Sequence, residues 1–305
     1  MKYLILDEVQ RIKDWQKVVL ALKMDFNVDI YISLSRANGL SELGNDVIKI
    51  EVLPLSFKEY QMFLASDEEQ DKNKILSDYL TIGAMPTKSN TNDVFYSIIA
   101  QDVLIANKIA DNAMMMWLIR ILMSEMGKTH SYNSLCKILS EVVEKAPAVR
   151  TVESYIKMLT EAHLFYSVPV FDLRDSHKLS RYAKYYPVDF GFYSLIMGES
   201  DPDTSILESV VYFELLRLGV NVSTCKIGQK KVAFLAESED NKIYIHVTNS
   251  LGDEKKAKMI MAPLRAINDH YSKWVLTTES PYTHSTDGIR IGSIIEFLTD
   301  DRFNS

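Results

Sequence analysis

The sequence predicts an α/β protein, and three observations support that fold class. A short apolar run from Tyr3 to Leu6 opens the chain and leads directly into two carboxylates, Asp7 and Glu8. Strand and helix patterns alternate through residue 53, and they alternate again after residue 205. Continuous apolar runs of this length are typical of parallel strands that are buried on both faces. We therefore expect the opening strand to lie inside a parallel sheet.

The first elements follow the order strand, helix, strand. Asp14 can cap a helix whose apolar residues repeat at helical spacing. Residues 29–33 predict a second strand, and residues 47–53 predict a third. Pro54 then leads out of the sheet, and Ser56 can cap the next helix. This order predicts parallel pairing between the strands.

Helical periodicity dominates the middle of the chain. Its predicted elements are helices at 92–111, 114–122, 132–140 and 151–162, followed by strands at 165–171 and 183–188. The last three helices and the two strands together predict a winged helix-turn-helix.

The last third of the chain returns to an α/β pattern. Its predicted elements are helices at 205–218, 254–268 and 293–299 and strands at 220–224, 231–236, 242–248 and 273–277. This order of elements is that of the restriction-nuclease-like fold.

Composition narrows the class of protein. The net charge of −7 argues against a strongly basic nucleic-acid-binding protein, although a local basic patch stays open. Cys136 and Cys225 are far apart and have no zinc-like spacing, which favours a reducing compartment. The chain starts without a signal-like segment and contains no apolar run long enough to span a bilayer. We expect a cytoplasmic protein with no membrane partner.

Several segments resemble a prokaryotic group of AAA-type ATPases. The resemblance rests on Leu-Asp-Glu at 6–8 after an apolar strand, on Trp15, on a short strand that ends in Ser33, and on Glu-Val-Leu-Pro-Leu-Ser-Phe-Lys-Glu-Tyr at 51–60. Residues 79–86 are similar to the group's YL-x-x-G-G-x-P segment, and residues 184–191 are similar to its KYYFVDxG segment. In that group a nucleotide-binding core precedes a winged-helix region and a restriction-nuclease-like domain of unknown function.

The resemblance implies a division of the chain into four parts. Residues 1–60 would be a truncated AAA-type ATPase core, a partial P-loop NTPase sheet that starts at its acidic strand. Residues 61–112 would be a helical lid or linker, and residues 113–196 the winged helix-turn-helix. Residues 197–305 would be an α/β restriction-endonuclease-like domain without activity.

The resemblance also implies an ATPase site, with ATP and Mg²⁺ as cofactors. Asp7 would position the magnesium ion and Glu8 the attacking water, while Ser33 or Ser35 would act as the polar sensor. Hydrolysis further needs a loop of backbone N–H groups and a lysine around the phosphates. The motif G-x-x-x-x-G-K-[ST] does not occur in the sequence. We therefore expect no ATP hydrolysis by this chain.

The missing phosphate loop leaves two interpretations of the sheet open. In AAA-type cores the strand that bears this loop lies between the strands that match 30–33 and 47–53. Either these two strands pair directly here, or the missing piece belongs to the complete protein. We favour a truncation, through an incorrect start, a frameshift or a decayed gene, over a purpose-built short form.

A second candidate site lies in the nuclease-like part. The fold's nuclease site needs a helix carboxylate, a strand aspartate, and then Glu or Gln with a lysine two residues later. Glu208 matches the helix position, but Ala233, His246 and Thr248 stand at the others. One carboxylate and one imidazole make a poor magnesium site, so Glu208 and His246 predict an inactive remnant.

The predicted winged helix suggests DNA as a partner. Its third helix would direct a set of polar residues outward: Arg150, Thr151, Ser154 and Lys157. Glu153 and Glu161 lie on the same surface, and mixed charge weakens binding to a phosphate backbone. Two roles of this surface therefore stay open, contact with DNA and packing against another domain or protein. A non-enzymatic scaffold, acting with a full-length ATPase relative, is the alternative function.

Overall fold

The computed structural model describes residues 2–299 except 27, 37–38, 45–46, 65–70, 87–90, 110, 199–202, 240 and 280–283. It is a mixed α/β structure, as predicted, and it contains a small N-terminal sheet and a large C-terminal one. No described helix has both the length and the apolar character that a membrane crossing requires.

The N-terminal unit is a parallel β-α-β arrangement. Strand β1 (Tyr3–Leu6) pairs with β2 (Asp29–Ile32), and helix α1 (Trp15–Asp25) connects them. The helix covers one face of the sheet, where Val9, Trp15, Val19 and Leu43 are buried together. On the other face the side chains of Tyr3, Ile5 and Tyr31 are exposed.

The expectation that the opening strand is buried on both faces is wrong. Its residues alternate between exposed and half-buried positions, because α1 packs on one face and no described element packs on the other. The prediction of a strand at 47–53 is also wrong. These residues form no regular element, and β2 pairs with β1 instead of with them.

The segment around 47–53 is held against the larger body of the protein rather than against the sheet. Tyr166 donates a hydrogen bond from its hydroxyl to Glu51 at 2.8 Å, and Arg217 donates one to the Pro54 carbonyl at 2.7 Å. The Leu55 N–H donates to the Ala84 carbonyl at 2.8 Å. These contacts direct the chain away from β2, which explains the missing strand.

Helices follow through the middle of the chain. They are α2 (Phe57–Phe63), α3 (Lys72–Ile82), α4 (Thr91–Ser97) with a wider π-type continuation (Ile98–Ile105), α5 (Asn112–Ser124), α6 (Tyr132–Ser140) and α7 (Val149–Glu161). Ser56 caps α2 as predicted: its hydroxyl accepts from the Glu59 N–H at 3.1 Å, and its own N–H donates to the Glu59 carboxylate at 2.8 Å.

An antiparallel hairpin follows α7, in agreement with the two predicted strands. It consists of β3 (Phe165–Asp172) and β4 (His177–Pro187), and α8 (Phe190–Met197) comes next. The remaining elements are α9 (Thr204–Arg217), β5 (Asn221–Ile227), β6 (Lys230–Glu237), β7 (Lys242–Thr248), α10 (Glu254–Arg265), β8 (Ser272–Thr277), β9 (His284–Thr286), β10 (Ile289–Ser293) and α11 (Ile294–Thr299).

Within the described residues, eight strands form one mixed sheet in the order β4-β3-β5-β6-β7-β8-β10-β9. Strand β3 pairs in parallel with β5, so the hairpin is continuous with the strands of the last third. Helix α9 packs on one face of the sheet and α10 on the other. The hairpin is therefore part of the C-terminal sheet, and the proposed boundary at residue 197 stays a prediction.

Candidate functional site

The residues of the predicted ATPase site lie together at one edge of the N-terminal sheet. Asp7 and Glu8 follow β1, and Ser33 follows β2, so parallel pairing brings their side chains to the same edge. The Ser33 hydroxyl donates a hydrogen bond to the Asp7 carboxylate. The Ser33 hydroxyl oxygen in turn accepts a hydrogen bond from the Glu8 N–H at 2.9 Å.

The cluster continues through Gln10 to the helical part of the chain. The Gln10 side-chain amide donates to the Ser35 hydroxyl at 2.7 Å and to the Glu8 carboxylate at 3.2 Å. Ser35 donates in turn to Asp102 at 2.7 Å, and Asp102 lies in the π-type helix. Arg11 forms an ion pair with Glu8 at 2.8 Å. Each of the four predicted residues therefore has a partner in its own chain.

Glu8 has an unusual backbone conformation. Its φ angle is 53°, in the left-handed region that residues other than glycine rarely adopt. The hydrogen bond from its N–H to Ser33 and the ion pair with Arg11 hold it there. Strain of this kind persists where surrounding contacts impose it, often beside a site.

The two carboxylates at this edge already contact side chains of their own chain. The Asp7 carboxylate accepts from Ser33, and the Glu8 carboxylate is paired with Arg11. The lysine-bearing phosphate loop is not in the sequence. Phosphoryl transfer also needs donors around the phosphates, and absence of hydrolysis by these residues stays a prediction.

A second carboxylate cluster lies inside the C-terminal body. Glu208 on α9 accepts from the Lys184 ammonium and from the Tyr186 hydroxyl, both at 2.7 Å. All three residues are buried, and Lys184 also lies over the ring of Phe234 at 5.8 Å. Burial, with the nearby Glu208 charge, raises the pKa of Tyr186 well above its usual range, so the phenol stays a donor.

His246 on β7 faces the same interior. Burial lowers the pKa of its imidazole, although the Glu208 carboxylate acts in the opposite direction. Its Nδ1 atom is buried and has no hydrogen-bond partner among the described residues. The structure thus brings the predicted pair Glu208 and His246 into one region, but Lys184 and Tyr186 hold Glu208. Whether this is a nuclease remnant stays a prediction.

The sequence alone does not identify Lys184 and Tyr186 as the partners of Glu208. Their signal was a lysine at an inward position of a strand rich in aromatic residues, a pattern that requires a buried countercharge. The sequence does not show which carboxylate supplies that charge, because Glu208 lies on a different element, 24 residues away.

Asp189, the aspartate of the segment at 184–191, is a further buried carboxylate whose partners the sequence did not reveal. It is fully buried, and its carboxylate accepts from the Ala84 N–H at 2.6 Å and the Gly191 N–H at 2.8 Å. Burial raises its pKa to about 6, against the opposing effect of these backbone donors. Asp189 thereby connects the segments at 79–86 and 184–191. A side chain at Gly83, whose φ is 101°, would collide with the carboxylate.

The residues predicted to contact DNA lie on α7. Arg150, Ser154 and Lys157 are exposed, and Thr151 is half-buried. Lys157 is 3.7 Å from Glu161. The surface therefore carries mixed charge, and contact with DNA stays a prediction.

Comparisons with known proteins agree with the arrangement at the amino terminus. Residues 1–61 match a family model described as an AAA domain. Residues 73–203 match another that is described as Domain of unknown function (DUF8612). The first part of the chain is therefore similar to an AAA domain, in agreement with the resemblance drawn from the sequence.

Two relatives are similar to most of the chain. An uncharacterized protein from Haemophilus influenzae is 28% identical over 314 residues, which cover 97% of this chain and 77% of the relative. Uncharacterized protein MJ1544 from Methanocaldococcus jannaschii is 26% identical over 295 residues, which cover 88% of this chain and 66% of that protein. No solved structure matches the chain.

Proposed function

We propose that residues 1–305 act as a binding or scaffold protein related to AAA-type ATPases, and that they do not hydrolyse ATP by themselves. The observation that carries the proposal is the internal pairing of the acidic edge. The Asp7 carboxylate accepts from Ser33, and the Glu8 carboxylate pairs with Arg11, at the positions where the resemblance would place a magnesium ion and a water.

Phosphoryl transfer depends on positioning and on charge stabilisation around the phosphates. Two carboxylates without a surrounding set of N–H donors and a lysine repel a nucleotide, since both carry negative charge. The net charge of −7 adds to this repulsion. A relative that carries a complete phosphate loop is the proposed partner, because such a chain would supply the donors that these residues lack.

Nucleotide titration tests the proposal. Calorimetry with ATP and Mg²⁺ should detect no saturable binding by residues 1–305, and released phosphate should stay at the level of the blank. The decisive variants are Asp7→Asn and Glu8→Gln, with Glu42→Gln as a matched control because Glu42 is an exposed acid outside the cluster. Saturable, magnesium-dependent binding that Asp7→Asn abolishes and Glu42→Gln leaves intact would overturn the proposal.

Contact with DNA is a second candidate for the binding role. It is favoured by the exposure of Arg150, Ser154 and Lys157 on α7, which precedes the β3–β4 hairpin in the order of a winged helix. The exposed Glu153 and the pairing of Lys157 with Glu161 oppose it.

A further inference from the structure

The segment at residues 47–53 exposes an apolar stripe. The exposed fractions of Ile48, Ile50 and Val52 are 90%, 78% and 89%, whereas isolated exposed apolar residues are usually scattered. The three side chains alternate with Lys49 and Glu51, which is the period of a strand with one apolar face. Among the described residues, none makes a backbone hydrogen bond to residues 47–52.

The stripe is presented by a segment that is fixed at its C-terminal end. Tyr166 holds the Glu51 carboxylate, Arg217 holds the Pro54 carbonyl, and Ala84 accepts from Leu55. Because these contacts already order the chain, a strand that pairs with it loses less conformational freedom on binding. Unpaired backbone groups next to an apolar stripe are the features that strand addition uses.

The charge pattern favours a second copy of this chain as the occupant, and Lys49 and Glu51, which lie 3.9 Å apart within one chain, are the residues that carry it. In an antiparallel pair centred on Ile50, Lys49 lies opposite Glu51 of the second copy, and Glu51 lies opposite Lys49 of that copy. Ile48 then faces Val52, and Ile50 faces itself across the two-fold axis. Parallel pairing in register would instead place lysine beside lysine and glutamate beside glutamate. The segment is therefore complementary to itself in one orientation, as a two-fold interface requires.

We propose that residues 47–53 pair in antiparallel fashion with the same residues of a second copy of this chain, forming a homodimer. The pairing satisfies the backbone groups along the facing edge of each segment and joins two apolar stripes into one. An interface formed by residues 47–53 of two copies should be small, and interfaces well below about 1,200 Å² are typical of weak complexes. The dimer should therefore dissociate on dilution. The proposal is independent of the nucleotide question, because it involves neither Asp7 nor Glu8.

Charge reversal and mixing test the proposal. Sedimentation equilibrium of the wild-type chain should show a monomer–dimer equilibrium. Lys49→Glu alone and Glu51→Lys alone should each raise the dissociation constant by about tenfold or more, since like charges then face each other twice. An equimolar mixture of the two variants should form a heterodimer, because all facing charges are then opposite. The matched control is Lys13→Glu, an exposed lysine outside the segment, which should change nothing.

Glu51→Lys also removes the hydrogen bond from Tyr166, so thermal melts must show that both variants are folded. Ile50→Asp leaves both charges intact and should abolish the dimer, because it places two carboxylates across the two-fold axis. A wild-type chain that stays monomeric at every concentration would overturn the proposal. So would a mixture of two folded charge variants that fails to associate. Failure here would leave the absence of ATP hydrolysis unaffected, which the calorimetry measures separately.

Discussion

Two carboxylate clusters in this chain use similar partners in different surroundings. At the N-terminal sheet edge, Arg11 is 70% exposed and its partner Glu8 is 33% exposed by side chain. In the C-terminal body, the corresponding values for Lys184 and Glu208 are 6% and 12%. Water screens the attraction between the charges of an exposed ion pair, so its loss costs little stability. In a buried pair each charge has only its protein partners to stabilise it, so the loss of one partner is costly. We therefore expect the recognisable acidic motif to contribute little to stability and the buried cluster to contribute more.

The largest expected effect comes from breaking the buried pair. Glu208→Ala leaves the Lys184 ammonium without its countercharge in the interior, which costs about 3–5 kcal/mol of unfolding free energy. Urea unfolding followed by tryptophan fluorescence measures the loss. The matched control is Glu254→Ala, which removes an exposed pair with Lys258 and should cost less than about 1 kcal/mol.

A double variant sharpens this prediction. Replacing both partners by apolar residues, Lys184→Met with Glu208→Leu, removes the unpaired charge and should recover most of the lost stability. Tyr186 would lose its acceptor, so the recovery should be incomplete. Equal losses in the single and the double variant would contradict the assignment of Glu208 as the countercharge of Lys184.

The next largest effect concerns Asp189. Asp189→Ala leaves the buried N–H groups of Ala84 and Gly191 without acceptors, at about 1–3 kcal/mol each. Thermal unfolding measures the loss of stability in Asp189→Ala and in the control Asp203→Ala, which removes an exposed helix cap. A loss for Asp189→Ala no larger than that for the cap would contradict the role of Asp189 as a connection between the two segments.

Asp189 also predicts a pH dependence. Its pKa is raised to about 6, so the unfolded chain releases this proton first, and the contribution of Asp189 to stability falls as the pH rises from about 4 through 6. The unfolding free energy of the wild type should therefore exceed that of Asp189→Asn by more at pH 4 than at pH 7. This excess should decrease by roughly 3 kcal/mol at most between the two pH values, and urea unfolding at both pH values measures it. A gap that is constant with pH would contradict the raised pKa.

Changes at the N-terminal cluster should be small by comparison. Ser33→Ala removes the donor to Asp7 and the acceptor for the Glu8 N–H at a partly solvated edge, so we expect a loss of about 1 kcal/mol. Urea unfolding of Ser33→Ala and of Glu208→Ala, under the same conditions, measures and compares the two losses of unfolding free energy. Ser41→Ala, at an exposed serine outside the cluster, is the control. Equal losses for Ser33→Ala and Glu208→Ala would break the comparison between the two clusters.

Local patterns predicted most of the helices and strands, because side-chain period and caps act within a few residues, but α8 was not predicted. Ser56 and the apolar period of α7 are examples. Residues 47–53 have an equally clear period and yet form no strand, since a strand needs a partner that its own residues cannot specify. The pairing of Lys184 with Glu208 and the burial of Asp189 likewise depend on contacts between distant elements. The side chains of Asp7, Glu8, Ser33 and Ser35 lie near one another, because parallel strands end at one edge, and their role as an ATPase remnant stays a prediction.

The smallest expected effect separates DNA from protein as the partner of α7. If Arg150 and Lys157 contact phosphates, Arg150→Ala with Lys157→Ala should weaken duplex binding and reduce the slope of log K against log salt by about 2, without changing stability. Fluorescence anisotropy with a labelled duplex at several salt concentrations measures both quantities. Lys145→Ala, an exposed lysine ahead of α7, is the control.

Lys157 is already paired with Glu161, so it should contribute less than Arg150 to duplex binding. Glu161→Gln should strengthen duplex binding, because it removes the carboxylate that pairs with Lys157. Absence of binding at low salt would leave protein contact as the role of this surface.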